Sequence, residues 1–163
     1  MAKGSSQIFE AIAEGDCDRA AFLIDLDPRR LDCKSRGGIR PLHLAVELND
    51  INIVRLLLEN GADADCSSFD GTTPLMVASK AGNFEMVQIL YTPWRNLNAT
   101  DRRGFTVMHH AAISGCCRTL KFLYSKGADI NARTANGATP LSFAIVNNHE
   151  DAITLITRMG GIQ

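Results

Sequence analysis

Residues 71–90 read GTTPLMVASKAGNFEMVQIL, and residues 136–156 read NGATPLSFAIVNNHEDAITLI. Each stretch carries Thr-Pro-Leu, an apolar segment, a Gly or Asn, and then a second apolar segment. Three prolines keep one register, because the distance along the chain from Pro74 to Pro140 is twice that from Pro41 to Pro74. A fixed period of this kind, about 33 residues long, is the signature of a repeat protein, in which similar units stack on one another.

Several further columns keep the same spacing. One step after each proline position stands Leu or Met, four steps after it stands Ala, and eight steps after it stands Gly or Asn. These columns are Leu42, Leu75, Met108 and Leu141; Ala45, Ala78, Ala111 and Ala144; and Asn49, Gly82, Gly115 and Asn148. Chance does not produce so many columns at one spacing.

The order of residue types within each unit predicts two helices joined by a tight turn. Thr directly before Pro starts a helix, because Thr caps free N–H groups and Pro fits the first helical position. Gly or Asn at the eighth step tolerates the left-handed backbone that ends a helix. The second helix has an apolar face, such as Ile53, Val54 and Leu57, and Gly61 or Gly127 ends it. A polar turn follows, so each unit is predicted as helix, turn, helix and hairpin-like loop.

Four segments of the chain resemble a known family. Residues 40–65, 71–90, 104–132 and 136–156 are similar to ankyrin repeats, in the Thr-Pro-Leu-His-x-Ala core and the Gly-Ala-Asp-x-Asn ending. The resemblance covers nearly the whole chain. It implies an all-α repeat solenoid of stacked helix-turn-helix ankyrin repeats with β-hairpin-like finger loops.

We expect residues 1–163 to form a single ankyrin-repeat domain. Ala11 and Gly15 match Ala45 and Asn49 at a spacing of 34, which indicates a weaker first unit with a one-residue insertion further along. An atypical first unit suits an end cap, which has a neighbour on one side only. The predicted repeats are approximately 5–34 (N-terminal cap), 35–67, 68–100, 101–133 and 134–163 (C-terminal cap).

The segment after Leu90 departs from the pattern. Pro93 and Trp94 stand where the next unit has Lys126 and Gly127, which predicts a second helix that ends early. Trp94 has two interpretations. It packs on a neighbouring side chain, or it contacts a partner, since Trp is enriched at binding hot spots.

Composition excludes several classes of protein. The chain of 163 residues is 45% hydrophobic and 21% charged, which excludes a disordered chain and a collagen-like fibre. Lys and Arg number 17 against 18 Asp and Glu, and the net charge of −1 argues against nucleic-acid binding. No apolar stretch approaches the roughly 18 residues that a membrane span needs, so we expect no membrane insertion.

The cysteines and the first residues favour the cytoplasm, with the nucleus as the alternative. The chain starts MAKGSSQIFEAIAEGD, without the apolar run of a secretion signal. The five cysteines are an odd number and two of them are adjacent, so reduced thiols are the better interpretation. We expect the chain to be a monomer.

The sequence predicts no metal, no cofactor and no catalytic residue, so we expect a protein that is not an enzyme. His109 and His110 precede Cys116 and Cys117, but the Cys-x-x-Cys spacing typical of structural zinc is missing. A Cys–His nucleophilic pair would lack a third group to orient the base. His109 falls instead in one column with His43, where it would bond the backbone near the helix start. The chain has no phosphate-binding glycine loop.

A solenoid offers an extended concave surface, built from the loop tips and the first helices. The resemblance to ankyrin repeats implies that a protein partner binds there. The tip residues flank the Gly of each loop, and the groove residues close each first helix. The predicted partner-binding residues are Arg36, Ile39, Leu48, Phe69, Asp70, Lys80, Arg102, Arg103, Phe105, Ile113, Arg133, Asn136 and Val146.

Two features of this set leave alternatives open. Phe69 and Phe105 stand on turns that should be polar, and they either fold against their own hairpins or contact the partner. The loops also carry a row of arginines: Arg36, Arg40, Arg102, Arg103 and Arg133. The row is either hydrated loop charge or a surface for a partner with an acidic or apolar segment.

The leading hypothesis is a non-catalytic protein-interaction module, acting as an adaptor, scaffold or inhibitor. The alternative is a regulatory or targeting ankyrin domain of a larger enzyme, channel or scaffold protein. The segment GFTVMHHAA also resembles a stretch of the ankyrin class of cyclin-dependent kinase inhibitors. Those inhibitors have a shortened first helix in their second repeat, whereas PLHLAVELN, from Pro41, predicts a full-length one. Nucleic-acid binding through the arginine row is disfavoured by the near-zero net charge.

Overall fold

The structure, a computed structural model, describes residues 3–93 and 96–163, so Trp94 and its two interpretations lie outside the described residues. The described chain folds into α-helices and loops and contains no β-strand. A short 3₁₀ helix, Pro28–Asp32, follows the second α-helix. The α-helices are α1 Lys3–Ala13, α2 Cys17–Leu26, α3 Pro41–Glu47, α4 Ile51–Glu59, α5 Pro74–Lys80, α6 Phe84–Leu90, α7 Val107–Ser114, α8 Cys117–Ser125, α9 Pro140–Val146 and α10 Glu150–Arg158.

These helices confirm an all-α repeat architecture, and their positions follow the repeat period of the sequence. The helix α3 has seven residues, as do α5 and α9, so it is full length, unlike the shortened helix of the kinase inhibitors. The helix α6 also has seven residues, whereas its equivalents α4, α8 and α10 have nine. The early end predicted after Leu90 is therefore confirmed.

The chain divides into two compact units, residues 1–74 and 75–163. In the first unit, α1 packs against α2 and α3, α3 packs against α4, and α2 packs against α4. First helices therefore contact first helices, and second helices contact second helices. The core between them is apolar and includes Ile8, Ala11, Leu42, Ile53 and Leu57, each at most 1% exposed.

The second unit repeats this two-layer arrangement. The helix α7 packs against α8 and α9, α9 packs against α10, and α8 contacts both α6 and α10. Its fully buried side chains include Met86, Leu90, Met108, Leu120 and Leu123. The interpretation of residues 1–163 as a single domain with the repeat limits given above stays a prediction.

The turn between the two helices of a repeat has a left-handed residue. Gly82 and Gly115 have φ values of 68° and 69° there. Asn49 and Asn148 occupy the same column with φ values of 59° and 56°, and they are the non-glycine residues with positive φ in the described chain. Asn tolerates this backbone better than other side chains do, so the column of Gly and Asn has a steric cause.

Each finger loop is closed by the same two backbone hydrogen bonds. The first residue of the finger donates its N–H to the carbonyl four residues ahead, and its carbonyl accepts an N–H from the residue three ahead. The N···O distances are 2.8–3.1 Å. The first residues of the four fingers are Ser35, Ser68, Asp101 and Thr134. The fingers are thus tight turns, because two hydrogen bonds in each are too few to form the ladder of paired β-strands.

Neighbouring fingers within a unit are joined by one backbone hydrogen bond. In the first unit Phe69 N–H donates to the Gly37 carbonyl at 3.0 Å, and in the second Ala135 N–H donates to the Arg103 carbonyl at 2.9 Å. Gly104, with φ of +80°, lies so close to the neighbouring finger that an added Cβ would stand 2.6 Å from the Ala135 nitrogen. A side chain at position 104 would therefore push the two fingers apart.

Two buried histidines also connect a first helix to the following finger. The Nδ1 atoms of His43 and His109 accept the backbone N–H at the helix start, as the sequence predicts. Their Nε2 atoms lie 2.9 Å from the Thr72 carbonyl and 3.1 Å from the Ala138 carbonyl, respectively. A carbonyl accepts only, so each ring carries its proton on Nε2 and is neutral. Burial lowers the pKa of both rings.

The adjacent His110 has a different environment. It is 5% exposed, and neither ring nitrogen has a hydrogen-bond partner in the described part of the chain. Burial lowers the pKa of His110 to about 4, and the nearby cations of Lys80 and Arg103 act in the same direction, while Asp101 opposes them. A buried polar group without a partner costs stability, so His110 is a weak point in the core.

The described residues contain no helix with both the length and the apolar character that crossing a bilayer requires.

The left-handed turn gives a first prediction. The substitution Asn148→Ala should lower the free energy of unfolding by about 1 kcal/mol, because Ala bears the full steric cost of positive φ. Asn148→Gly should keep or slightly raise it, since Gly adopts this backbone freely. Urea denaturation followed by circular dichroism measures both. An equal loss for Asn148→Ala and Asn148→Gly would contradict the steric explanation, because both remove the same side-chain amide and differ only in the methyl group that positive φ disfavours.

The histidines give a second prediction. The ring of His110 is uncharged in the folded chain down to about pH 4, whereas in the unfolded chain it takes up a proton near pH 6.5. Between these values the unfolded state binds more protons, so stability falls as the pH falls. His110→Leu should raise the unfolding free energy at pH 7. The substitution should also reduce, by about 2 kcal/mol, the unfolding free energy that is lost when the pH falls from 7 to 5.

Urea denaturation at both pH values tests this prediction, with His109→Leu as the contrasting variant. His109→Leu leaves the Thr106 N–H without its partner and removes one of the two hydrogen bonds that the Ala138 carbonyl accepts, so it should destabilise the chain by about 2 kcal/mol at pH 7. If both variants lower the free energy of unfolding at pH 7 by the same amount, the conclusion that His110 has no hydrogen-bond partner is wrong.

Candidate functional site

The first unit carries five of the predicted partner-binding residues. Arg36 and Ile39 lie on the first finger, and Leu48 follows the last residue of α3. Phe69 and Asp70 lie on the second finger. Arg36 and Asp70 are exposed, Leu48 is 48% exposed and Phe69 is 55% exposed, while Ile39 is half-buried. The structure therefore brings Phe69 to the surface.

Phe69 nevertheless has a packing contact with the neighbouring finger. A Cβ added to Gly38, which has φ of +75°, would stand 2.6 Å from the Phe69 nitrogen and 2.5 Å from its ring. The ammonium of Lys34 lies 6.0 Å from the ring centroid. The ring therefore contacts the neighbouring first finger while 55% of the residue stays exposed, and its contact with a partner stays a prediction.

Asp70 is held by its own turn. The Ser68 hydroxyl donates to the Asp70 carboxylate, and the Thr72 N–H donates to it at 3.2 Å. These hydrogen bonds, that of Ser68 above all, lower the pKa of Asp70. The carboxylate is thus ionised at neutral pH and stabilises the finger.

The second unit carries the other eight predicted residues, on two fingers and at the ends of three first helices. They are Lys80 at the end of α5; Arg102, Arg103 and Phe105 on the finger before α7; Ile113 near the end of α7; Arg133 and Asn136 on the last finger; and Val146 at the end of α9.

Four of these eight residues meet around one cavity of about 430 Å³. We call it the finger cavity, because it lies between the two fingers of the second unit and borders α9. Lys80, Ile113, Arg133 and Val146 do not line it, although Val146 is 76% exposed. The finger cavity is formed chiefly by Arg102, Arg103, Phe105, Asn136, Ala138 and Phe143.

Phe105 contributes the apolar floor of the finger cavity. Its ring centroid lies 5.0 Å from that of Phe143 and 5.6 Å from the rings of His109 and His110. Offset and tilted ring pairs at these distances are favourable. Phe105 is therefore half-buried in an aromatic cluster with α7 and α9, rather than projecting from its turn as a free contact residue.

Two arginines form the rim of the finger cavity. The guanidinium of Arg103 lies over the Phe105 ring, with 4.6 Å from its central carbon to the ring centroid, in cation–π contact. Its Nε is 3.9 Å from Asp101 Oδ2. Arg102 is exposed, and its side chain makes no hydrogen bond or ion pair with residues 3–93 or 96–163.

The structure divides the predicted arginine row into residues with different roles. Arg40 is paired with Asp32 at 2.9 Å and with Asp63 at 3.5 Å, and Arg133 donates to the carbonyl of Gly137 at 2.9 Å. These two arginines stabilise the backbone and loops around them. Arg133 keeps its positive charge, because a carbonyl is neutral, so Arg102, Arg103 and Arg133 all contribute exposed positive charge to the fingers of the second unit.

Phe143 is the largest of the lining residues that the predicted set did not contain, the others being Thr134, Ala135 and Ala138. It occupies the variable position of the Thr-Pro-Leu-His-x-Ala core, where the other repeats have Leu44, Val77 and His110. An aromatic residue in a column of smaller side chains was the signal that could have identified it. The finger in front of it, residues 134–138, contributes small side chains that leave its ring accessible.

His, Cys, Asp and Glu side chains are the candidate metal ligands and nucleophiles of the chain. No cluster of three His, Cys, Asp or Glu side chains suited to a metal occurs within residues 3–93 and 96–163. Cys66 Sγ lies 3.5 Å from His43 Nδ1, but both groups are buried. Burial raises the pKa of the Cys33 and Cys117 thiols, which lowers the fraction of reactive thiolate.

Comparison with known proteins agrees with the helix pattern. A family model for ankyrin repeats matches three overlapping stretches, residues 8–101, 42–134 and 82–162. The chain is also similar to the 2-5A-dependent ribonuclease of Mus musculus, with 33% identity over 63 residues. That alignment covers 39% of this chain and 9% of the ribonuclease.

The family match extends over nearly all of the helices described above, and each matched stretch contains the Ala column and the left-handed turn. Ankyrin repeats are a protein-interaction module and are generally non-catalytic. From its period, its paired helices and this match, the chain belongs to the ankyrin-repeat family.

Proposed function

We propose that this chain is a non-catalytic adaptor, scaffold or inhibitor that binds a protein partner through its finger loops and the ends of its first helices. The observation that carries the proposal is the finger cavity. Its aromatic floor and its two arginines lie at the surface, on fingers that are closed by backbone hydrogen bonds and by the side chains of Asp101 and Thr134. Aromatic residues and arginines are the side chains that contribute most to protein interfaces.

The proposed partner has an acidic or apolar segment. Arg102 and Arg103 would attract negative charge, while Leu48, Phe69 and Val146 offer exposed apolar area. A nucleic acid fits less well, because the whole chain has a net charge of −1. We propose that the protein acts as a monomer in the cytoplasm or nucleus.

The alternative is that the same repeats serve as a regulatory or targeting domain of a larger protein. The ribonuclease named above favours it, since this chain is similar to a segment that is 9% of a much longer enzyme. Under this alternative the fingers would still bind protein, but the partner surface would belong to the same polypeptide.

The proposal predicts that substitutions of the charged and aromatic finger residues weaken partner binding. One variant combines Arg36→Glu with Phe69→Ser, and a second combines Arg102→Glu with Arg103→Glu. The wild type should capture a partner from lysate of the source cells, and at least one finger variant should bind that purified partner about ten-fold more weakly. Isothermal titration calorimetry with the purified partner gives the affinities.

The matched control combines Arg118→Glu with Lys121→Glu, two exposed residues of α8 that lie outside the fingers. It makes the same charge change as the second variant and should bind like the wild type. Circular dichroism verifies that all variants are folded. A partner that binds all four proteins with equal affinity would show that the fingers are not the binding surface.

A further inference from the structure

The finger cavity combines two chemistries, and together they specify a narrower ligand than a protein surface in general. Its floor is apolar, with the half-buried rings of Phe105 and Phe143 set at 45° to each other and Ala138 beside them. A third aromatic side chain could pack edge-to-face on these rings, which is the preferred geometry for aromatic clusters.

The rim provides N–H donors for a carboxylate. The Arg103 guanidinium lies over the Phe105 ring, and its N–H groups make no hydrogen bond within residues 3–93 and 96–163. A planar guanidinium with free N–H edges binds a carboxylate through two parallel hydrogen bonds. Arg102 is adjacent in the chain, exposed, and without a partner in the described residues.

The one acidic side chain of this finger is already engaged. Asp101 is 7% exposed, and its Oδ1 accepts the N–H groups of Arg103 at 2.8 Å and Phe105 at 2.9 Å. Its Oδ2 is 3.9 Å from Arg103 Nε, beyond a good hydrogen bond. Asp101 therefore shapes the finger without neutralising both arginines, and the rim keeps positive charge.

The volume of about 430 Å³ is that of a small-ligand pocket, for which the usual range is about 300–1,000 Å³. It exceeds a single side chain and suits two neighbouring ones. A nucleic-acid strand is a poorer occupant, because such strands bind along grooves with a track of cations, whereas here two arginines stand over an apolar floor.

We propose that the finger cavity binds a partner peptide segment in which an Asp or Glu adjoins an aromatic residue. The carboxylate pairs with Arg103 and Arg102, and the aromatic ring packs on Phe105 and Phe143. This inference rests on the proposed function and deepens it, because it assigns the chemistry of the segment that the partner must present.

The test uses a displayed library of random dodecapeptides, selected on the full chain, and fluorescence anisotropy of the selected peptides. We expect the peptides to be enriched in an acidic residue next to Trp, Phe or Tyr. Binding should weaken about ten-fold or more for the protein variant Arg102→Gln with Arg103→Gln, since charge-assisted hydrogen bonds are lost. Changing the acidic residue of the peptide to its amide should have a similar effect.

Arg118→Gln is the matched control, because the Arg118 guanidinium also lies over a phenylalanine, 5.3 Å from the ring centroid of Phe84, on a different surface of the unit. It should leave peptide binding unchanged. Three outcomes would each overturn the inference: no peptide is selected; the selected peptides lack the acidic–aromatic pair; or they bind the double variant as well as the wild type. A single-stranded RNA that displaces the peptides and binds more tightly than they do would also overturn it.

The two proposals fail in different ways. If a purified partner loses affinity for the variant with Arg36→Glu and Phe69→Ser but not for the double glutamine variant, the proposed function stands and the finger cavity is not its contact. If peptides behave as expected but no cellular protein depends on the fingers, the cavity binds its ligand and the proposed function is wrong.

Discussion

The pair of backbone hydrogen bonds that closes each finger is the interaction on which the rest of the structure depends. It recurs at Ser35, Ser68, Asp101 and Thr134, at the repeat period of the sequence. It fixes where each first helix begins, because the residue whose carbonyl accepts the first bond stands two positions before that helix. The helices can then pack in two layers, first on first and second on second, with Ala at the close contacts.

The fold could be predicted because its determinants are local. A Pro after Thr at the start of the helix and a Gly or Asn at its end each favour a backbone geometry that does not depend on distant residues. Asn49 and Asn148 illustrate this, since they adopt the left-handed conformation that their column requires. The hydrogen bonds that His43 and His109 accept from the backbone at the helix start were predictable for the same reason, because the ring and the N–H belong to the same turn.

The candidate site could be predicted only in part, because its properties depend on contacts between distant residues. Arg40 and Arg133 look like Arg102 in the sequence, but Asp32, Asp63 and a turn carbonyl engage them. Phe105 is on a turn, yet its burial depends on Phe143, which belongs to the following repeat. The pattern gives the position of a residue on its finger, whereas the partner of its side chain is decided by packing.

The stacking of Arg103 on Phe105 has a consequence for the cost of recognition. A free arginine side chain samples many rotamers, and ordering it on binding costs conformational entropy of roughly 2 kcal/mol. In this chain the guanidinium already lies over the ring before any ligand arrives, although 72% of the side chain is exposed, so the ring restrains it only in part. A correspondingly smaller share of the entropic cost of capturing an anion is left to be met on binding.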